Sequence, residues 1–204
     1  MVDWSRIALP IALRLVRCSR AVWRSSTQSV IIAVLVAFSV SASLAAEAAP
    51  SEYELKAVLI YNFIKFTEWP PAKLGKSDEP FIIGILGKDP FGGALDKVVE
   101  GDTLYDKPVV VRRYARVDDV VASHALFISF SEEPSITAVL KLLDGQGASI
   151  LTISETENFA KRGGVIELKK EHKKVVFGIN LIAANRAGLN ISAQLLKIAK
   201  DVVK

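Results

Sequence analysis

The side chains best suited to proton transfer are sparse and scattered. Of the two histidines, His124 stands at the entrance to the apolar run Ala125 to Ile128, and His172 sits among Lys169, Lys170, Lys173 and Lys174. Neither has sequence neighbours that would make it a general acid or base. The single cysteine, Cys18, follows Val16 and Arg17 instead of the small residues that precede a lipidated cysteine. The sequence has no paired histidines or cysteines at the spacing of a zinc or haem site, and it lacks the G-x-S-x-G nucleophile elbow. No catalytic, cofactor-binding or metal-ligating residue is expected.

Binding chemistry has more material. The segment Gly87 to Gly93 (GKDPFGG) follows an apolar run and opens a helical stretch, where α/β proteins cradle phosphates, but its spacing matches neither G-x-G-x-x-G nor the phosphate loop. Asp89 is expected to cap the next helix, with Pro90 in its first turn and Phe91 as anchor. In a doubly wound sheet, ligands bind beyond the carboxyl ends of the strands. There Lys88, Asp89, Ser129, Ser131, Glu132 and Ser154 are expected to converge as a small-molecule crevice.

These residues need elements to position them. Short apolar runs at Phe81 to Leu86, Val109 to Val111, Ala125 to Ile128 and Ser149 to Ile153 read as buried strands. Helical stretches alternate with them at Gly92 to Val99, Asp118 to Ala122 and Pro134 to Leu143, so the sheet is mostly parallel. Past Gly163 and Gly164, which suit a turn of positive φ, the pattern becomes an antiparallel hairpin. A connection centred on Glu171 and His172 pairs Leu168 with Val175 and Ile166 with Phe177. Asn180 to Gly188 and Ser192 to Val203 read as closing helices. The fold class is α/β: three-layer α/β/α, with a mostly parallel mixed sheet of about six strands and an antiparallel C-terminal hairpin.

A first helix is expected from Glu52 to before Pro70, opened by the reciprocal pair Ser51 and Glu54. Leu55, Val58, Leu59, Phe63, Phe66 and Trp69 fill its core-facing arc, opposite Glu54, Tyr61, Lys65 and Glu68. Ile60 and Ile64 form a second apolar flank, open to two readings: tighter burial, or a surface for self-association or docking.

Residues 1–48 read as a secretory signal, with arginines, the apolar run Val30 to Val40, and small residues that place cleavage after Ala45 or Ala48. Retention as an inner-membrane anchor is the alternative. Residues 49–204 then form one domain. Five of the 26 cations and one of the 22 anions lie in the first 45 residues, leaving 21 of each, and a neutral body gives nucleic acid no basic surface.

The ordered segments SEYELKAVLIYNFIKFTEWP, ILGKDPFGG, LFISFSEE, NFAKRGGVIEL and VVFGINLIAANRAGLNISAQLLKIA resemble the YfiR family of bacterial periplasmic proteins, from about Glu52 to Ala199. The resemblance implies a non-catalytic periplasmic domain that represses a membrane-bound diguanylate cyclase of the YfiN type and so lowers cyclic di-GMP and biofilm formation. The body departs from the studied YfiR-type repressor, which carries disulfides: it has no cysteine, so redox control through disulfides has nothing to act on. Partners are therefore expected to be a transmembrane diguanylate cyclase or another membrane sensor protein, with a homodimer as a further possibility and no nucleic acid. The alternative function is a periplasmic small-ligand sensor feeding a histidine kinase or other membrane signalling protein.

Overall fold

The structure, a computed structural model, describes residues 50–76, 78–172 and 174–204. The leader and its cleavage positions lie outside the described residues. Helix α1 (Glu52–Lys65) opens with the expected capping box: Ser51 Oγ accepts the Glu54 N–H at 3.2 Å, and Glu54 Oε2 accepts the Ser51 N–H at 2.6 Å. It ends four residues earlier than expected. The Thr67 hydroxyl donates to the Phe63 carbonyl at 2.8 Å, and β1 (Thr67–Glu68) pairs antiparallel with β9 (Asn190–Ile191), so an extended ladder ends the helix before Pro70 can.

A one-turn helix α2 (Pro71–Leu74) leads into β2 (Phe81–Leu86), buried along its length. Then follow α3 (Ala94–Val99), β3 (Thr103–Leu104), β4 (Lys107–Tyr114), a 3-10 segment (Val117–Ala122), β5 (Ala125–Ile128), a second 3-10 segment (Phe130–Ser135), α4 (Ile136–Gly145) and β6 (Leu151–Ser154). The hairpin is β7 (Ile166–Glu171) with β8 (Lys174–Asn180), and α5 (Leu181–Arg186), β9, α6 (Ala193–Ile198) and β10 (Asp201–Val203) complete the chain.

The main sheet has eight strands in the order β10-β8-β7-β6-β5-β2-β4-β3. Six are the expected ones, and β3 and β10 add short edges. Neighbours are parallel except at the two hairpins, β7 with β8 and β4 with β3. Apolar clusters lie on both faces. One packs α1, α3 and α5 against Phe81, Ile83, Phe127, Ile153 and Phe177; the other packs α4 against Leu86, Leu126 and Ile128. This is the three-layer arrangement, because strands buried on both faces need helices on both.

Two expectations need correction. The hairpin pairs Leu168 with Phe177 and Ile166 with Ile179, two residues from the expected register. The paired ends are Glu171 and Lys174, so the loop centres one residue later; His172 takes the positive φ (45°) that a two-residue hairpin loop requires. The last helix stops at Ile198. Ala199 turns extended, the Lys200 N–H donates to the Phe177 carbonyl at 2.9 Å, and β10 continues alongside β8. The open edge of β8 offers hydrogen bonds that a longer helix would leave unmade.

Candidate functional site

Strands β2, β5 and β6 end level with one another, Leu86 beside Ile128 and Ile128 beside Ser154. The order β4-β2-β5-β6-β7 puts the topological switch point between β2 and β5. The six crevice residues do gather near these ends, where their polar groups are engaged with one another and with neighbouring backbone and side chains. Ser129 Oγ donates to the Lys88 carbonyl (2.7 Å), the Lys88 N–H donates to Ser131 Oγ (2.9 Å), and Ser154 Oγ donates to the Ile128 carbonyl (2.7 Å). Ser135 Oγ donates to Glu132 Oε2 (3.1 Å). A Cβ at Gly87, whose φ is +87°, would meet Ser131 Oγ and lie 2.9 Å from the Glu132 side chain. No side chain larger than hydrogen fits at Gly87.

Asp89 is likewise committed. Its Oδ1 accepts the Phe91 N–H at 2.7 Å and its Oδ2 takes Arg113 Nε at 2.9 Å, while Arg113 also bridges Asp96. Asp89 thus anchors β4 and does not cap α3, which begins at Ala94 after an uncapped Gly93. Donating to the Asp96 carboxylate raises the Arg113 pKa above its ordinary value against the cost of burial.

The open cleft lies one strand further along. β7 begins where β6 ends, Ser154 facing Glu167, so the hairpin overhangs the carboxyl edge of the sheet and makes a wall. The N-terminal turn of α1 makes another, and Phe130, 63% exposed, stands at the mouth. The cleft volume is about 600 Å³. On its floor, Lys56 Nζ lies 2.7 Å from Glu52 Oε1 and 2.5 Å from Glu155 Oε2, with only 5% of its side chain exposed. The Tyr53 hydroxyl donates to Glu155 Oε1 at 3.1 Å, and the ammonium sits 4.6 Å from the Tyr53 ring centre. Glu52 reaches Lys170 with its other oxygen at 2.5 Å. The buried Glu167 carboxylate accepts the N–H groups of Asn158 (3.0 Å) and Ala160 (3.1 Å), fixing the loop after β6, in which Asn158 holds φ +58°.

These contacts set the charge states. Burial opposes the Lys56 charge, yet its hydrogen bonds to the Glu155 and Glu52 carboxylates outweigh it and hold the pKa above the ordinary lysine value. An ammonium so held has no lone pair for nucleophilic chemistry at neutral pH. The Lys170 and Lys56 hydrogen bonds push Glu52 down, and burial followed by the Glu155 charge pushes Tyr53 up. The arrangement is a set of paired charges beside an exposed aromatic ring. Sequence reasoning missed it because its parts are far apart in the chain: Lys56 and Glu155 are separated by 99 residues. The one local signal was Glu155 directly after the Ser154 strand end.

Ile60 and Ile64 are fully buried, so that flank belongs to the core and not to the surface. The buried arc of α1 is Lys56, Ala57, Ile60, Tyr61, Phe63 and Ile64, while Leu55, Val58 and Phe66 face outward. The expected arc was misplaced because Tyr61, counted on the polar arc, goes inward to Asp102, and Lys56 goes inward to Glu155. Burial and the Asp102 contact push the Tyr61 hydroxyl up to about 12.

The profile of the YfiR/HmsC-like family matches residues 53–200. Among solved structures, a conserved domain protein from Vibrio cholerae O1 biovar eltor is 13% identical with a TM-score of 0.50, covering 74% of this chain and 60% of that one. The ABC domain in complex with L-Trp from Streptococcus pneumonia is 12% identical with a TM-score of 0.49, covering 72% and 60%. At that identity the first shows the shared fold alone, and the chain spans 60% of the length of each. No curated protein matches.

Proposed function

The chain belongs to the YfiR/HmsC-like family, and on that premise we propose that it is a periplasmic regulator that acts by contact and not by turnover, repressing a membrane-bound diguanylate cyclase and so lowering cyclic di-GMP. The observation that carries this reading is the family match, which runs through nearly all of the described residues. Export by residues 1–48 would deliver it to the side of the membrane where the sensor part of such a cyclase lies, and among the described residues no helix is long and apolar enough to cross a membrane. The mouth of the cleft suits docking: an exposed aromatic, Phe130, stands beside a rigid ion-paired floor, the kind of anchor that dominates contact energies. Binding there restrains an enzyme across the membrane only if affinity differs between the cyclase's active and inactive states.

The test is a deletion strain combined with crosslinking of the protein in its own compartment and mass spectrometry of what it captures. Cyclic di-GMP is expected to rise on deletion and a transmembrane cyclase to be captured, less of it by Phe130→Ala. Unchanged cyclic di-GMP with no membrane protein captured sinks the reading. The 600 Å³ cleft also favours a second reading, a small-ligand sensor feeding a histidine kinase or other membrane protein. That reading predicts a melting temperature that rises with a periplasmic solute, and a rise abolished by Lys56→Met.

A further inference from the structure

One stretch of the main sheet's rim is left without a neighbouring strand. At the far end β10 covers the β8 edge, but at the near end β3 pairs with β4 only at Pro108 and Lys107, after which the Val109 N–H donates to the Asp102 carbonyl at 3.1 Å. From there on β4 has a neighbour on one side alone, β2. Alternate residues of a strand turn their backbone groups to opposite edges. The Tyr114 carbonyl accepts the Gly87 N–H at 3.0 Å, so Val110, Arg112 and Tyr114 face β2, whereas Val109, Val111 and Arg113 face outward. Among the described residues, the Val109 carbonyl and both backbone groups of Val111 and Arg113 have no hydrogen-bond partner. The open run from Val109 to Arg113 is about 16 Å long. The side chains along it narrow what fits. Arg113 is held on one face by Asp89 and Asp96. Arg112, on the other face, is exposed and makes no ion pair among the described residues.

We propose that the β4 edge from Val109 to Arg113 is a docking site for an extended acidic segment of a partner protein, which adds to the sheet as an antiparallel strand with a carboxylate facing Arg112. In that pairing Val111 and Arg113 exchange backbone hydrogen bonds with the added strand. Arg112 then stands between them at a non-hydrogen-bonded position, where facing side chains approach most closely and opposite charges are favoured. Charge complementarity selects the occupant. Arginine on an open edge deters basic and purely apolar strands, as edge charges generally do, and admits an acidic one. Val111, half-buried against the α3 side of the sheet, offers the added strand an apolar neighbour on the opposite face. The site is separate from the cleft: β6, β5 and β2 lie between β7 and β4, which puts the edge roughly 19 Å from the hairpin wall, so both are open to occupants at once. The inference adds a surface to the contact reading without depending on it, because binding at the edge is measured with no cyclase or kinase present.

Fluorescence anisotropy with the exported protein, purified as its host processes it, tests the site. The probe is a labelled peptide of sequence Ser-Thr-Glu-Val-Thr-Val-Glu-Ser, beside a control with lysine for each glutamate and a second control N-methylated at alternate amides. The acidic peptide is expected to bind and both controls to fail. Val111→Pro removes an N–H that β2 does not use, so the sheet keeps its ladder while the peptide loses a hydrogen bond, and affinity should fall about fivefold. Arg112→Glu should lower it by a similar factor and let the lysine peptide bind instead. Far-UV circular dichroism confirms the fold of each variant, and Arg112→Glu carries the test should the proline variant not fold. Phe130→Ala, at the mouth of the cleft, should leave the affinity unchanged. No binding of the acidic peptide overturns the proposal and leaves the arginines as guards of a bare edge. Binding that ignores Arg112→Glu, or that Phe130→Ala abolishes, overturns it as well, since the peptide then sits elsewhere.

Discussion

His124 is the residue on which acid stability should turn. Its Nδ1 accepts the Ile82 N–H at 3.0 Å, its ring stacks on Phe81 at 4.3 Å between centres, and its carbonyl receives the Trp69 indole N–H at 3.0 Å. A proton on Nδ1 would set donor against donor inside the core. Burial, then the positive charges of Lys73 and Lys107, holds the pKa down at about 4 against an ordinary 6.5, with Glu79 pulling weakly the other way. Because the folded value is the lower one, the unfolded chain takes up the proton first. The stabilisation from neutral His124 is complete above pH 6.5 and drains away as the pH falls from 6.5 towards 4, by about 3 kcal/mol. Urea midpoints at pH 7 and pH 4.5 should therefore differ much more in the wild type than in His124→Asn, whose amide oxygen can accept the same N–H without titrating. An equal drop in both proteins would remove His124 from the account.

The element most exposed to failure is β10. It pairs with β8 over three residues, Asp201 with Gly178 through Val203 with Asn180, and covers an edge that would otherwise present free backbone groups. Lys200 reinforces it from both ends, its N–H bonding the Phe177 carbonyl and its ammonium contacting Glu171. Truncation after Ala199 should cost about 1–2 kcal/mol and make the protein aggregate in concentrated solution; light scattering equal to that of the full chain would show that the edge needs no cover. β10 is also where sequence legibility ends. The caps were readable because each is a local bond: Ser51 with Glu54, Asn180 accepting the Ala183 N–H at 2.9 Å, Ser192 accepting the Leu195 N–H at 3.3 Å. Four of the longer strands were readable from apolar runs, and the two hairpin strands from alternation. What was hidden depends on distant partners. Val202 repeats at helical spacing from Leu195 and Ala199, and only the waiting edge of β8 makes it a strand. Gly164 looked like a positive-φ turn residue beside Gly163, yet only Gly163 takes that conformation (φ +104°); Gly164 is needed because the Phe159 ring lies where its Cβ would be. The cleft was illegible for the same reason, since Lys56 finds Glu155 only after the sheet has formed.

At the scale of the whole molecule, the sheet joins two cores that share no helix. Alternate residues of one strand serve different faces: in β5, Ala125 and Phe127 pack with α1, while Leu126 and Ile128 pack with α4. Neither cluster can loosen without releasing the strand that the other needs, so the described residues should unfold as one cooperative unit. Leu95→Ala on the α3 side and Leu143→Ala on the α4 side both remove fully packed side chains and should each cost about 2–4 kcal/mol. Both losses should appear as the same kind of shift, a lower urea midpoint with an unchanged slope, seen alike by far-UV circular dichroism and by the fluorescence of Trp69, which packs edge-on to Phe81 at 5.2 Å. If Leu143→Ala instead splits the transition, with the α4 face melting first while Trp69 stays buried, the two faces are separate folding units. A ligand or partner at the cleft could then be felt by one face alone. If the single transition holds, strain introduced at the mouth of the cleft must be carried through β6 and β7 to both faces.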